Sequence, residues 1–175
     1  GDWSSDVCSS DLVPTDFSSS SLRAIELAKF FATTFQSEVY FLHIIDDEST
    51  PLMNIMLNLH SEEPLKKLVQ EANSKFQEYA ERYKDLSIQV KSQVRRGNPF
   101  KEICSFVDEQ NIDLIVMATS GRTGLSHMLL GSVAEKVVRY SPVPVLTVKP
   151  EHESEMFISD ENAKDLLNRR KSSYQ

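Results

Sequence analysis

The chain has 175 residues, 40% of them hydrophobic, and 26 acidic residues against 19 Lys and Arg give a formal charge of −7. That length and composition suit one domain with a real core, no apolar run approaches the roughly 20 residues needed to cross a bilayer, and the acidic balance disfavours a nucleic-acid-binding surface. The two cysteines, Cys8 and Cys104, give no disulfide framework, and a reducing cytoplasm suits the chain.

The opening GDWSSDVCSSDL is rich in Ser and Asp, with no cation and no sustained apolar run, so it does not read as a secretory signal peptide. One codon choice for residues 2–12 resembles a common sequencing-library adapter read through as gene. Residues 1–12 are therefore read as a non-native scar, 13–150 as the domain and 151–175 as a C-terminal tail. Without the scar's three aspartates the formal charge is −4. Val13-Pro14-Thr15-Asp16-Phe17 leads through four serines into LRAIELAKFFATTF, a cap followed by good helix formers. Leu22, Ala24, Ile25, Leu27, Ala28, Phe31 and Phe35 make a broad apolar stripe that predicts a helix against a sheet. Val39 to Ile45, VYFLHII, reads as a strand buried on both faces, with His43 as a satisfied core histidine.

Residues 46–63 are too long for a turn, and PLMNIMLNLH within them predicts a short amphipathic helix that covers a ligand or partner, or packs over the sheet edge. Leu65, Leu68, Val69, Ala72, Phe76, Tyr79, Ala80 and Tyr83 keep the helical period. Ile88, Val90 and Val94 alternate with Gln89, Lys91 and Gln93, the pattern of a strand with one wet face near a sheet edge. Gly97-Asn98-Pro99 supplies a turn, an N-cap and a first-turn proline for FKEICSFVDEQ, in which Cys104 reads as a buried structural thiol. DLIVMA, Asp113 to Ala118, is another buried strand. The Gly-rich SGRTGLSHMLLGS, the helix SVAEKVVRY and a last short strand VPVLTV follow. The tail carries a short helix around Ala163 to Arg169 and an apolar triplet, Met156, Phe157 and Ile158, that packs loosely on the body or docks on a partner.

Strands alternating with helices predict right-handed crossovers and a parallel sheet with helices on both faces. Such a fold needs an apolar strand immediately before Val13, and residues 1–12 are a poor one. Ligands bind such a sheet beyond the carboxyl ends of its strands, where strand order reverses, so Thr15-Asp16 and the glycine loop are expected to be neighbours. Gly121 and Gly124 allow close backbone approach and positive φ, while Gly131-Ser132 opens a helix whose N–H groups favour an anion. The same stretch has a plainer reading, since Ser132-Val133-Ala134-Glu135 is also a capping box. No Lys-Ser/Thr pair follows the glycines, the four histidines lack metal-ligand spacing, and Ser132 has no evident histidine and acid beside it; no catalytic residue is therefore assigned.

A longer resemblance adds to this. ATSGRTGLSHMLLGSVAEKVVRYSPVPVLTVK resembles the C-terminal half of universal stress proteins and VPTDFSSSSLRAIELA resembles their opening, so the likeness covers Val13 to Lys149. It implies a three-layer αβα sandwich of the adenine nucleotide alpha hydrolase-like type, with a five-stranded parallel sheet in the order 3-2-1-4-5. The family's ATP-binding branch carries Gly-x2-Gly-x9-Gly-Ser/Thr. Here Gly121, nine residues, Gly131 and Ser132 match, and Ala118 stands at the first glycine. By that resemblance Pro14, Thr15, Asp16 and the backbone around Ile44 hold adenine and ribose. Ala118, Gly121, Arg122, Gly124, Gly131, Ser132 and Val133 surround the phosphates of ATP, and any Mg2+ is held through those phosphates. The resemblance also implies a cytoplasmic regulatory homodimer of the stress response, paired through Val143 to Val148, with a regulatory protein partner and slow hydrolysis at most. The rival readings are a nucleotide-free dimeric interaction protein of the same fold and, third, a hydrolase-type enzyme on the same sheet.

Overall fold

The computed structural model describes residues 10–46, 63–84, 86, 88–119 and 130–149. In chain order these form β1 (Ser10–Pro14), α1 (Ser19–Phe35), β2 (Glu38–Ile45), α2 (Glu63–Glu81), β3 (Val90–Arg96), α3 (Pro99–Gln110), β4 (Leu114–Ala118), α4 (Ser132–Tyr140) and β5 (Val145–Val148). The five strands make one all-parallel sheet in the order β3-β2-β1-β4-β5. The order predicted by family resemblance is therefore the one observed.

Alternate residues of the central strands feed two separate cores, as the period-two geometry of a strand requires. Leu12, Tyr40, Leu42, Ile115 and Met117 join Ile103, Phe106 and Val107 of α3 and Ala134 and Val137 of α4 on one face. Val13, Val39, Phe41 and Val116 join Ala24, Ile25, Ala28 and Ala32 of α1 and Phe76 and Tyr79 of α2 on the other. The result is three layers. The small residues Ala24, Ala28 and Ala32 seat α1 close to the sheet, and Phe35, expected in its buried stripe, lies on the flank at 45% exposure. Tyr83, just beyond α2, is buried and donates its hydroxyl to the Ile25 carbonyl at 2.7 Å, fastening α1 to the α2 side.

Helix ends follow the sequence signals closely. Ser18 caps α1, its Oγ accepting from the Ser21 N–H at 3.3 Å, and Asn98 caps α3, its Oδ1 accepting from the Lys101 N–H at 3.3 Å, with Pro99 in the first turn. Gly97 precedes that cap at φ 136°, a backbone conformation that L side chains rarely adopt. Cys104 is half-buried, less enclosed than the sequence implied, and burial, with Asp108 nearby, pushes its thiol pKa up. The segments expected to hold short helices at 46–63 and 163–169 lie outside the described residues, apart from Asp46 and the start of α2 at Glu63.

β1 is the surprise. It occupies the centre of the sheet although Ser10 and Asp11 belong to the stretch read as a scar. Asp11 is 1% exposed, and the Ser37 hydroxyl donates to its Oδ2 at 2.6 Å, while the Ser10 N–H donates to Asp113 Oδ2 at 3.2 Å. Leu12 and Val13 are fully buried on opposite faces, and pairing with β2 and β4 satisfies the backbone on both sides. Two apolar residues and a double ladder thus hold a strand that composition alone makes a poor one.

Candidate functional site

The chain runs from β1 outward to β2 and β3, then crosses back to β4 and β5 on the other side of β1, so strand order reverses between β1 and β4. That is where an open parallel sheet receives a ligand, beyond the carboxyl ends of its strands. Leu12 pairs with Ile115, and the same register carried four residues on sets Asp16 level with Thr119. The two loops expected to be neighbours are the two that flank this point.

The loop after β1 is bound up in its own hydrogen bonds. The buried Thr15 donates its N–H to the Leu42 carbonyl at 2.9 Å and its hydroxyl to Ser21 Oγ at 2.9 Å, and that hydroxyl accepts the Phe17 N–H at 3.0 Å. Asp16 accepts the Ser18 N–H on Oδ1 at 3.0 Å, the Asx turn that short acidic side chains make ahead of a helix. Its carboxylate is thereby held at the end of β1. His43, satisfied as the sequence predicts but only half-buried, lies 2.8 Å by Nδ1 from the Thr15 carbonyl. A carbonyl only accepts, so Nδ1 carries the hydrogen.

Phe17 closes this corner from below and was invisible in the sequence. It has φ 63°, uncommon for a residue other than glycine. Its ring compensates by packing 4.5 Å from His43, 5.3 Å from Phe76 and 5.8 Å from Tyr79 (centroid to centroid), with the Lys75 ammonium 4.9 Å from its centre. His43 belongs to this corner because Leu42 pairs with Pro14, which sets His43 opposite Thr15.

The loop after β4 is anchored at both ends. Thr119 donates its N–H to the Val148 carbonyl at 2.9 Å, and its own carbonyl accepts the Gly131 N–H at 2.6 Å. Ala118 ends β4, half-buried and level with Val148. Gly121, Arg122 and Gly124 lie outside the described residues. Gly131 is the N-cap of α4 at φ −66° and ψ 151°, and it accepts the Glu135 N–H at 2.8 Å as the first bond of the helix. The capping box read from Ser132 to Glu135 does not form. Ser132 is the first helical residue rather than the cap, and the Glu135 carboxylate pairs with Arg139 one turn on at 3.1 Å.

Ser132 is exposed and Val133 half-buried at the positive end of the α4 dipole, where the first N–H groups meet no side chain from the cap. Ile44, Leu130 and Val133 all pack, partly buried, against the core face shared by α3 and α4, which gives this end of the sheet an apolar flank. Of the predicted residues, Pro14, Thr15, Asp16, Ile44, Ala118, Gly131, Ser132 and Val133 are brought to the carboxyl ends of the strands. Among the described residues no group of three His, Cys, Asp or Glu could hold a metal ion, and no helix is long and apolar enough to cross a membrane.

The universal stress protein family model matches residues 12–149. Over 150 residues the chain is 36% identical to universal stress protein MJ0577 of Methanocaldococcus jannaschii, spanning 79% of this chain and 93% of that protein. It is 38% identical over 141 residues to MJ0531 of the same organism, spanning 79% and 80%. The solved structure of MJ0577 superposes with a TM-score of 0.74 at 34% identity, covering 83% of this chain and 99% of that one. A universal stress protein solved in complex with cAMP shares the fold, with a TM-score of 0.55 at 24% identity, covering 82% and 98% of the two chains.

Proposed function

The chain belongs to the universal stress protein family, and from that premise we propose that it binds ATP between the Asp16 corner and the start of α4, as a nucleotide-responsive regulatory homodimer in the cytoplasm. The observation that carries this is the glycine at the α4 cap. Its φ and ψ are those of an ordinary N-cap, which Ser, Asp and Asn fill better and which they use to satisfy the helix's own donors. Backbone conformation does not demand glycine there. An absent side chain leaves the N–H groups of the first turn to an outside anion, and a phosphate chain is the anion that suits a helix N-terminus.

The remaining residues divide by chemistry. The Asp16 carboxylate accepts the ribose hydroxyls, Pro14 and Thr15 present the corner, and the backbone around Ile44 meets adenine beside the apolar flank of Ile44, Leu130 and Val133. Gly131, Ser132 and Val133 take the phosphates together with Gly121, Arg122 and Gly124, while Ala118 is small enough to keep the strand end open. Mg2+ enters only on those phosphates. A family likeness to a protein solved with cAMP supports an adenine nucleotide as the ligand class. The outer edge of β5 supports pairing of Val143 to Val148 with a second copy, since an exposed parallel edge offers unpaired backbone groups.

Titration with labelled ATP tests the reading. Saturable binding near the micromolar range, worth about 8 kcal/mol, is expected, together with its loss in Gly131→Val with Ser132→Ala. No saturable binding, or binding undiminished by that pair of substitutions, rejects it.

A further inference from the structure

Away from the nucleotide site, an open groove of about 640 Å3 runs along the flank of α1 beside β5, lined by Leu22, Arg23, Glu26, Leu27, Phe30 and Val148. Phe30 is 64% exposed there, an unusual position for so large an apolar side chain. The chain leaves β5 at this groove's own wall, because Arg23 Nη1 donates to the Lys149 carbonyl at 2.7 Å. Past that anchor the sequence continues for 26 residues, and the family match stops at the anchor itself. The first apolar cluster after it is Met156-Phe157-Ile158, reached through the acidic stretch PEHESE.

We propose that Met156-Phe157-Ile158 of the same chain docks in this groove and covers Leu22, Leu27 and Phe30. The geometry of the tether permits it. Phe157 is eight residues past Lys149 and reaches up to about 28 Å, whereas Leu22 to Phe30 is eight helical positions and spans about 12 Å. The triplet therefore reaches any point of the groove after turning back along α1. Charge favours the same occupant. The linker carries Glu151, Glu153 and Glu155, opposite in charge to Arg23 in the groove wall, and Glu26, the acidic side chain among the described lining residues, is engaged by Arg82 at 2.6 Å. Tethering also raises the effective concentration of the triplet to about the millimolar range, so three apolar side chains suffice without high intrinsic affinity. The proposal does not depend on the nucleotide reading.

Disulfide trapping in the full chain tests it, with Cys8→Ser and Cys104→Ser removing the native thiols. Glu26→Cys with Ser159→Cys places thiols at the groove rim and just past the triplet, leaving the apolar contacts in place. Mild oxidation at low protein concentration is expected to give an internally linked monomer. Met156→Ser with Phe157→Ser and Ile158→Ser is expected to slow linking at least tenfold, and Lys101→Cys on α3, in the opposite layer, paired with Ser159→Cys is expected not to link. Three results overturn the proposal: linking insensitive to the serine substitutions, equal linking at Lys101, or no linking at Glu26. A product of dimer mass also overturns it, and assigns the groove to a second copy.

Discussion

Two of the helices that begin beyond the carboxyl ends of the strands flank the point where strand order reverses, and they begin in opposite ways. α1 starts in a corner where Thr15, Asp16, Ser18 and Ser21 bond one another, and the Ser18 side chain takes one of its first-turn donors, the Ser21 N–H. α4 starts at Gly131, which has no side chain to give, and its Glu135 turns toward Arg139 instead of back toward the cap. The difference separates two tasks. The first start holds a carboxylate in a fixed place; the second leaves partial positive charge at the surface of the same crevice. An acidic acceptor and an anion-seeking helix end, side by side at a strand-order reversal, fit a ligand with hydroxyls at one end and phosphates at the other.

The largest break in that comparison comes from Phe17→Ala. The substitution keeps a positive φ and removes the ring packed on His43, Phe76 and Tyr79. Because Phe17 is only half-buried, the loss is about 2–3 kcal/mol, below that of a fully enclosed phenylalanine. Denaturant unfolding measures it, and ATP affinity is expected to fall at least tenfold in the folded variant as Asp16 loses its support. Unchanged affinity would mean that the corner does not position the carboxylate.

A smaller effect concerns how α1 itself is held. Burial first, then Glu26 and Asp11, raises the Tyr83 hydroxyl pKa well above its ordinary value of 10.0, so the folded state keeps the proton that the unfolded chain releases first. The stability this gives is whole below pH 10 and drains away as pH climbs beyond it, at up to about 1.4 kcal/mol per pH unit. Tyr83→Phe is expected to cost about 1 kcal/mol at neutral pH through loss of the bond to Ile25 and to flatten the alkaline decline. Unfolding curves at pH 7 and above pH 10 distinguish the two contributions, and an equally steep alkaline loss in the variant would place its origin elsewhere.

How far the sequence revealed this arrangement depended on the range of the forces involved. α4 was legible to the residue, Ser132 to Tyr140, because its period, its preceding glycine and the following Pro142 are all local. Asn98-Pro99 was legible for the same reason. The capping box was misread because the helix starts one residue earlier than the box requires: with Gly131 as the cap, Glu135 lies one position past N3 and pairs instead with Arg139. Phe17 could not be read at all, since its backbone conformation is maintained by rings that arrive from α2 about 60 residues later. β1 is a poor strand by composition, and it forms because neighbouring strands on both sides supply what Ser10 and Asp11 lack.

The sharpest test costs the least stability. Gly131→Asp gives α4 the cap that α1 already has, at a φ and ψ that aspartate adopts readily. Asp caps better than Gly by a few tenths of a kcal/mol, and a carboxylate at the positive end of the dipole adds a similar amount, so the melting temperature is expected to hold or rise slightly. ATP affinity is expected to fall at least tenfold, because the new carboxylate takes the same donors and repels the phosphates. Gly131→Asn separates the two causes: it occupies the donors without the charge, so its affinity should lie between those of the parent and the aspartate variant. Affinity that survives both changes, with the helix better capped, would show that α4 begins with glycine for some reason other than leaving its first turn open to a ligand.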